Sequence, residues 1–316
     1  MRFISVKDLY FLSVILLIKL TSWFSSPKLK ELVVRGIAFL AYLISRNKRL
    51  LIEKNLFEAF DSSLTEDGKR KIVKGVFYAF WKHMFSWLPT SVEIATIKEA
   101  ELLGIEHLYI ALQNGIGAIL WESNGFGERI IAKRILHENR FSIHQVHGAT
   151  DLGGFLTENS TETWVQHSLV KGFFNNCELK FVAEIINLPS SNSLAFTRTL
   201  LNLLRQNAII CITGDGKIGQ KLIPLKFLGQ TEFFSTGMIS LSKISGAPIL
   251  PMFCTVEKND KTDLVIEHPI KVEENGDREH GVEISVAKYA ALLEAYIRQY
   301  PEQYRNWHIV GELPKD

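Results

Sequence analysis

After Gly104 the sequence alternates short apolar runs with longer amphipathic segments, and this alternation constrains the fold more than any other feature. A short apolar run predicts a buried strand, whereas apolar residues spaced by three and four predict one face of a helix. We therefore predict an α/β fold with a mostly parallel central sheet flanked by helices. The predicted strands are 116–121, 141–146, 208–213 and 248–256, and the predicted helices are 126–137, 157–172, 193–206, 235–245 and 282–300.

The composition fits a large folded domain and argues against several classes of protein. The chain has 316 residues, of which 47% are hydrophobic and 22% charged, so it can bury a large core. Its net charge of +2 is too small to indicate nucleic acid as a partner. Cys177, Cys211 and Cys254 have neither CxxC spacing nor companion histidines, so we expect buried thiols and neither a disulfide framework nor a metal site.

The N-terminal residues 1–44 contain two apolar runs, 9–18 and 32–44, the second of which is interrupted by Arg35. Both are shorter than the ~20 apolar residues that a membrane span requires. Because they are apolar nearly all round, we predict a membrane-associated segment, either a helical hairpin or helices that lie in the bilayer interface. A pair of ordinary core helices is the alternative, and residues 45–316 form the α/β domain in either case.

Residues 45–60 and 66–87 predict two further helices with basic and apolar faces. Ser63 or Thr65 is placed to cap the second helix. An aromatic stripe along that second helix is typical of core packing or membrane contact.

Polar residues follow three of the predicted strands. The first strand ends at Glu122, Ser123 and Asn124, the second at His147, and the third at Asp215. In open α/β sheets, ligands bind in the crevice outside the carboxyl ends of the strands. We therefore expect these side chains to share one crevice.

Several segments together resemble the bacterial lipid A late acyltransferases, the lauroyl and myristoyl branch of the lysophospholipid acyltransferase superfamily. The similarity runs in collinear order from about residue 45 to the end of the chain. Its segments are RLLIEKNLFEAF at 49–60, DGK at 215–217, LKFLG at 225–229, STG at 235–237, SGAPILP at 245–251 and LEAYIRQYPEQY at 293–304.

The resemblance implies a membrane-bound enzyme with a glycerolipid acyltransferase-like fold, located at the cytoplasmic face of a bacterial inner membrane. Such an enzyme moves an acyl group from an acyl carrier protein or coenzyme A thioester to a hydroxyl group of a lipid acceptor. The thioester is a co-substrate, and no resident cofactor is implied.

The family's catalytic motif, His-x4-Asp/Glu, is altered in this sequence. When Glu128 is matched to the acidic residue of the motif, the histidine position falls on Ser123, and a one-residue gap would place Asn124 there instead. Neither side chain is a competent base near neutral pH.

Three alternatives follow from that departure. Glu122 or Glu128 could be the base, with a pKa raised by an apolar site. His147 could be the base, oriented by Glu122 or Glu128; His144 would face away from it on the same strand. Lastly, the chemistry could be lost, which would leave a catalytically silent lipid-binding protein.

For catalysis we expect His147 or Glu128 to deprotonate the acceptor and backbone N–H groups near Gly125 to hold the oxyanion. Asp215 would organise the pocket or would simply form a turn. An apolar acyl wall is predicted from Phe227 and Gly229, closed by a helix N-terminus at Ser235 and Thr236. Three lysines are expected either to meet a lipid phosphate or an acidic carrier, or to form a solvated face: Lys217, Lys221 and Lys226.

Overall fold

A computed structural model gives the fold of this protein. It describes residues 5–24, 26–97, 99–148, 163–189, 194–215, 217, 219, 221–257, 261–272 and 278–314. The strands are β1 (Glu101–Leu103), β2 (Ala118–Glu122), β3 (Ile143–His147), β4 (Glu184–Asn187), β5 (Ile209–Thr213), β6 (Leu222–Phe227), β7 (Gln230–Ser235), β8 (Ile249–Val256) and β9 (Thr262–Ile266). The helices are α1 (Val6–Ser22), α2 (Pro27–Ile44), α3 (Arg46–Phe60), α4 (Glu66–Ser86), α5 (Ser91–Ile97), α6 (Ile105–Gln113), α7 (Arg129–Glu138), α8 (Lys171–Glu178), α9 (Leu194–Arg205), α10 (Gly237–Ser245) and α11 (Arg278–Gln299).

Seven strands form the central sheet in the order β1-β9-β8-β2-β5-β3-β4, and every pairing except that of β8 with β9 is parallel. The prediction of a mostly parallel sheet flanked by helices is thus confirmed. On β2, Ala118 and Leu120 pack into the hydrophobic core on one side of the sheet, and Ile119 and Trp121 pack into the core on the other. A strand buried on both faces needs apolar residues throughout, which is why its sequence does not alternate. The three cysteines are free and buried, as expected.

The predicted start of one helix is wrong, for a local reason. The helix predicted from residue 126 begins only at Arg129. Before it, Gly127 has a φ of +69°, and a Cβ there would lie 2.4 Å from the carbonyl oxygen of Cys254, so this tight turn requires glycine. Of the helix predicted over 157–172, residues 157–162 lie outside the described part; within it, a π-helical stretch (Val165–Val170) leads into α8.

The predicted acyl wall is instead a β-hairpin, formed by β6 and β7. Leu228 and Gly229, between the strands, both have positive φ, which is the geometry of a two-residue hairpin turn. A Cβ on Gly229 would lie 2.1 Å from the carbonyl oxygen of Glu58 in α3, so this glycine allows close packing of the hairpin. Because Ser235 ends β7, α10 begins two residues later than predicted.

The N-terminal helices α1 and α2 each pack one face against the rest of the chain. Phe11, Ile18 and Val34 lie in one hydrophobic cluster with Trp81 and Phe85 of α4. In addition, the buried Asp8 accepts hydrogen bonds from Thr163 (2.9 Å) and Gln166 (2.6 Å), which attaches α1 to the segment before α8. Among the residues that the structure describes, no helix is both long enough and apolar enough to cross a membrane.

The helix α4 begins as predicted, because the Thr65 side chain accepts a hydrogen bond from the Gly68 backbone N–H (3.1 Å). The following 21 residues form this helix and carry His83 into the interior.

Candidate active site

The loop that follows β2 is closed by its own hydrogen bonds. The Ser123 hydroxyl donates to Oδ2 of Asp215 (2.6 Å) and accepts from the backbone N–H groups of Gly125 (3.2 Å) and Phe126 (3.0 Å). The backbone N–H of Asn124 donates to the other Asp215 oxygen (2.5 Å). The residues that follow β2 and β5 are thus in direct contact. However, the amides near Gly125 already have partners, so they are not the free oxyanion donors that we predicted.

Asp215 is the buried centre of this loop. Burial raises its pKa above the ordinary value, and the hydrogen bonds from Ser123 and Asn124 only partly offset that effect. Its contacts support the turn-forming interpretation of Asp215.

Glu122 lies in a buried ionic network and not at a free position. Its Oε1 is 2.9 Å from Nη2 of Arg129 and 3.2 Å from Nζ of Lys133, and it accepts a hydrogen bond from Gln145 (3.1 Å). Burial alone would raise the pKa of Glu122, but Arg129 and Lys133 hold it below the ordinary value. The expected raised pKa is therefore wrong for Glu122.

His147 lies at the end of β3 as predicted, but its partner differs from the prediction. Its Nε2 is 2.8 Å from Oε2 of Glu178 on α8, and Glu178 also lies 3.2 Å from Nζ of Lys133. Orientation of His147 by Glu122 or Glu128 is thus not found. His144 contacts Glu184 on the neighbouring strand (2.8 Å), away from this network.

Glu128 has a histidine partner that sequence reasoning missed. Nδ1 of His83 lies 3.1 Å from Oε2 of Glu128, and both side chains are at least 95% buried. Burial, and next the nearby Arg305, lower the pKa of His83 to about 4, so its imidazole is neutral at pH 7. Burial would raise the pKa of Glu128, but the His83 hydrogen bond and Arg305 hold it below the ordinary value. The expected raised pKa is therefore wrong for Glu128 as well.

A cleft of about 130 Å³ opens beside Glu128. Glu128 is the member of the predicted catalytic set that lines it; Glu122, Ser123, Asn124 and His147 are not among its lining residues. The lining includes Tyr78 and Lys82 of α4, Glu128, Val256 at the end of β8, and Gln303 and Arg305 near the C-terminus. Arg305 donates hydrogen bonds to the backbone carbonyl groups of Asn124 (3.1 Å) and Gly127, which fixes its positive charge beside the loop.

The predicted substrate-binding residues do not gather at this cleft. Lys217 is bound to Glu232 (2.8 Å) and to the backbone oxygen atoms of Ile309 and Glu312. Phe227 is fully buried against Phe234. The side chains of Ser235 and Thr236 make hydrogen bonds to Gly237 N–H and to the Lys221 carbonyl group. Lys221 and Lys226 are exposed.

One signal in the sequence could have pointed to His83. It is a histidine in a segment of α4 that is otherwise dominated by large apolar side chains, where burial demands a polar partner. The identity of that partner could not be read from the chain, because 45 positions separate the two residues.

Comparison with known families agrees with the resemblance found in the sequence. Residues 166–308 match the family model described as bacterial lipid A biosynthesis acyltransferase. The matched range includes β5, the β6–β7 hairpin, β8 and α11, whereas the loop from Ser123 to Glu128 precedes it. No curated protein matches the chain. The family recognised from the sequence is thus supported by residues 166–308, which are just under half of the chain.

Proposed function

We propose that this protein is a membrane-associated O-acyltransferase that transfers a fatty acyl group from a thioester of acyl carrier protein or coenzyme A to a hydroxyl group of a lipid, in the cleft beside Glu128. The match to the acyltransferase family over residues 166–308 supports acyl transfer in general. The observation that carries the location of the site is that Glu128 is deeply buried yet lines a cleft.

The proposed reaction uses one proton acceptor, Glu128, and two positively charged side chains, Lys82 and Arg305. The acceptor hydroxyl loses its proton to Glu128 as its oxygen forms a bond to the thioester carbonyl carbon. The carbon–sulfur bond then breaks, and the thiol leaves with the proton returned from Glu128. Lys82 and Arg305, which line the same cleft, are placed to stabilise negative charge on the carbonyl oxygen.

The outward faces of α1 and α2 support association with a membrane. Exposed apolar patches of this kind mark interaction surfaces, and an apolar helix face suits the headgroup boundary of a bilayer. We call these residues the hairpin face: Leu9, Leu12, Leu16, Leu20 and Trp23 of the first helix and its end, and Leu32, Phe39, Leu40, Leu43 and Ile44 of the second.

Tyr78 connects the hairpin face with the cleft. Tyr78 is a lining residue of the cleft, its hydroxyl donates to Glu31 of α2 (2.6 Å), and the guanidinium of Arg35 lies over its ring. A lipid hydroxyl that enters from a membrane on this side would have a short route to Glu128. We place the protein at the cytoplasmic face of the inner membrane, where both thioester donors are made.

A catalytically silent lipid-binding protein is the second candidate, favoured by the serine at the motif histidine position. The two candidate functions are distinguished by measuring acyl transfer from labelled acyl carrier protein and coenzyme A thioesters in membranes that contain the full chain. We expect transfer by the wild type, a loss of at least about 100-fold in Glu128→Gln, and wild-type rates in Glu106→Gln, an exposed carboxylate on α6. If the wild type transfers no faster than background with both thioester donors, the proposed acyltransferase activity is contradicted.

A further inference from the structure

We infer that His83 positions Glu128 for catalysis and so takes over from the histidine that the motif lacks. The imidazole comes from α4 instead of the loop after β2, and the order of the pair is reversed: Glu128 is a lining residue of the cleft, whereas His83 is not and contacts Glu128 from α4. This inference rests on the proposed acyl transfer.

The pair is costly to bury, which argues against a purely structural role. His83 is buried on α4, and its ring packs edge-on against Trp87. A leucine at this site would fill the same space without any desolvation of polar groups. Replacing both partners of a buried hydrogen bond by apolar groups of the same shape is often nearly neutral or stabilising, so packing alone does not account for a histidine here.

The hydrogen bond has a defined direction. An ionised carboxylate only accepts hydrogen bonds, so Nδ1 of His83 must carry the proton that it shares with Glu128. The Ser86 hydroxyl donates to the His83 backbone carbonyl (2.8 Å) and lies 3.5 Å from the same Glu128 oxygen. One carboxylate oxygen of Glu128, Oε2, is thus held by His83 and lies near Ser86, and Glu128 is at the same time a lining residue of the cleft.

Other charged groups act on the pair and must be kept constant in a test. Lys82 on α4 and Arg305 near the C-terminus stabilise the ionised form of Glu128. Arg129 disfavours a charged His83, Arg134 interacts with Glu128 from the same helix α7, and Cys254 of β8 faces Glu128 as a neutral thiol. None of these groups changes when His83 alone is replaced.

The test compares two substitutions of His83, of which only one keeps a hydrogen-bond donor. His83→Asn keeps an N–H donor near the place of Nδ1, whereas His83→Phe keeps only the ring shape. We expect His83→Phe to lose about 100-fold in kcat/KM, because a misplaced base costs that much. The acid limb of the pH–rate profile of this variant should also move to higher pH, since Glu128 would lose a hydrogen bond that favours its ionised form. His83→Asn should retain most of the wild-type rate and the wild-type acid limb of the pH–rate profile. His144→Asn serves as the matched histidine control.

The outcomes separate this inference from the proposed function. Transfer by the wild type together with an unchanged acid limb in His83→Phe would overturn the role of His83 alone, whereas absence of transfer in the wild type would overturn both. A measurement independent of activity is the ¹⁵N spectrum of histidine-labelled full-length protein in detergent. We expect His83 to be the Nδ1–H tautomer at pH 7, and an Nε2–H tautomer would also overturn the inference.

Discussion

Ser123 Oγ lies 2.6 Å from Oδ2 of Asp215, so this hydroxyl group joins the ends of β2 and β5. The same oxygen accepts hydrogen bonds from two backbone N–H groups of its own loop. Ser123 therefore has a structural role in this protein.

The first prediction concerns this contact. Ser123→Ala should lower the free energy of unfolding by about 1–3 kcal/mol, because Asp215 and two amides would remain buried with one partner fewer. Urea unfolding of the detergent-solubilised protein measures the change. Ser13→Ala removes an exposed hydroxyl from α1 and should change stability by less than about 0.5 kcal/mol. Equal stability of the two variants would contradict the structural role of Ser123.

The second prediction concerns Lys133, whose ammonium group lies 3.2 Å from both Glu122 and Glu178 and is 1% exposed. Lys133→Met should destabilise the fold by about 3–5 kcal/mol, because two buried carboxylates lose their shared cation. Lys180→Met, an exposed lysine after α8, is the matched control. A Lys133→Met protein that unfolds at the wild-type urea concentration would show that the network contributes no net stability.

The sheet could be predicted from the sequence and the contact between His83 and Glu128 could not, for different physical reasons. A strand such as β5 is buried on both faces, so it can be recognised in the sequence as a short continuous apolar run. The contact of His83 with Glu128 depends on how α4 packs against the loop before α7, which no local pattern encodes. The β6–β7 hairpin was missed because Pro224 interrupts its apolar run and Leu228-Gly229 is not a standard turn pair.

The third prediction concerns pH. His83 has a pKa of about 4 in the fold, against an ordinary value of 6.5, because burial disfavours its charged form. Between these values the unfolded chain binds a proton that the folded chain does not, so the free energy of unfolding should rise from pH 4 to 6.5. His308, with a pKa lowered to about 3, acts in the same direction, whereas the raised pKa of Asp215 opposes both.

Urea unfolding between pH 4 and 7 checks this expectation. His83→Phe should reduce the pH slope, and addition of His308→Phe should reduce it further. Glu128, Arg305 and Arg129 face His83 and are unchanged in both proteins. A slope equal to that of the wild type in His83→Phe would show that His83 is not buried in its neutral form.

The last prediction concerns the hairpin face. Removal of residues 1–44 cannot test membrane binding cleanly, because Phe11, Ile18 and Val34 cover Trp81 and Phe85, and their loss would expose new apolar surface.

Point substitutions on the hairpin face avoid that difficulty. Leu16 and Leu40 are 56% and 60% exposed, so Leu16→Glu with Leu40→Glu should leave the free energy of unfolding within about 1 kcal/mol of wild type. Two charges placed in an apolar membrane contact should nevertheless release the protein from vesicles of phosphatidylethanolamine and phosphatidylglycerol in a sedimentation assay. Leu194→Glu on α9, at 73% exposure, is the matched control and should still sediment. If the double variant sediments as fully as this control, α1 and α2 do not form the membrane contact.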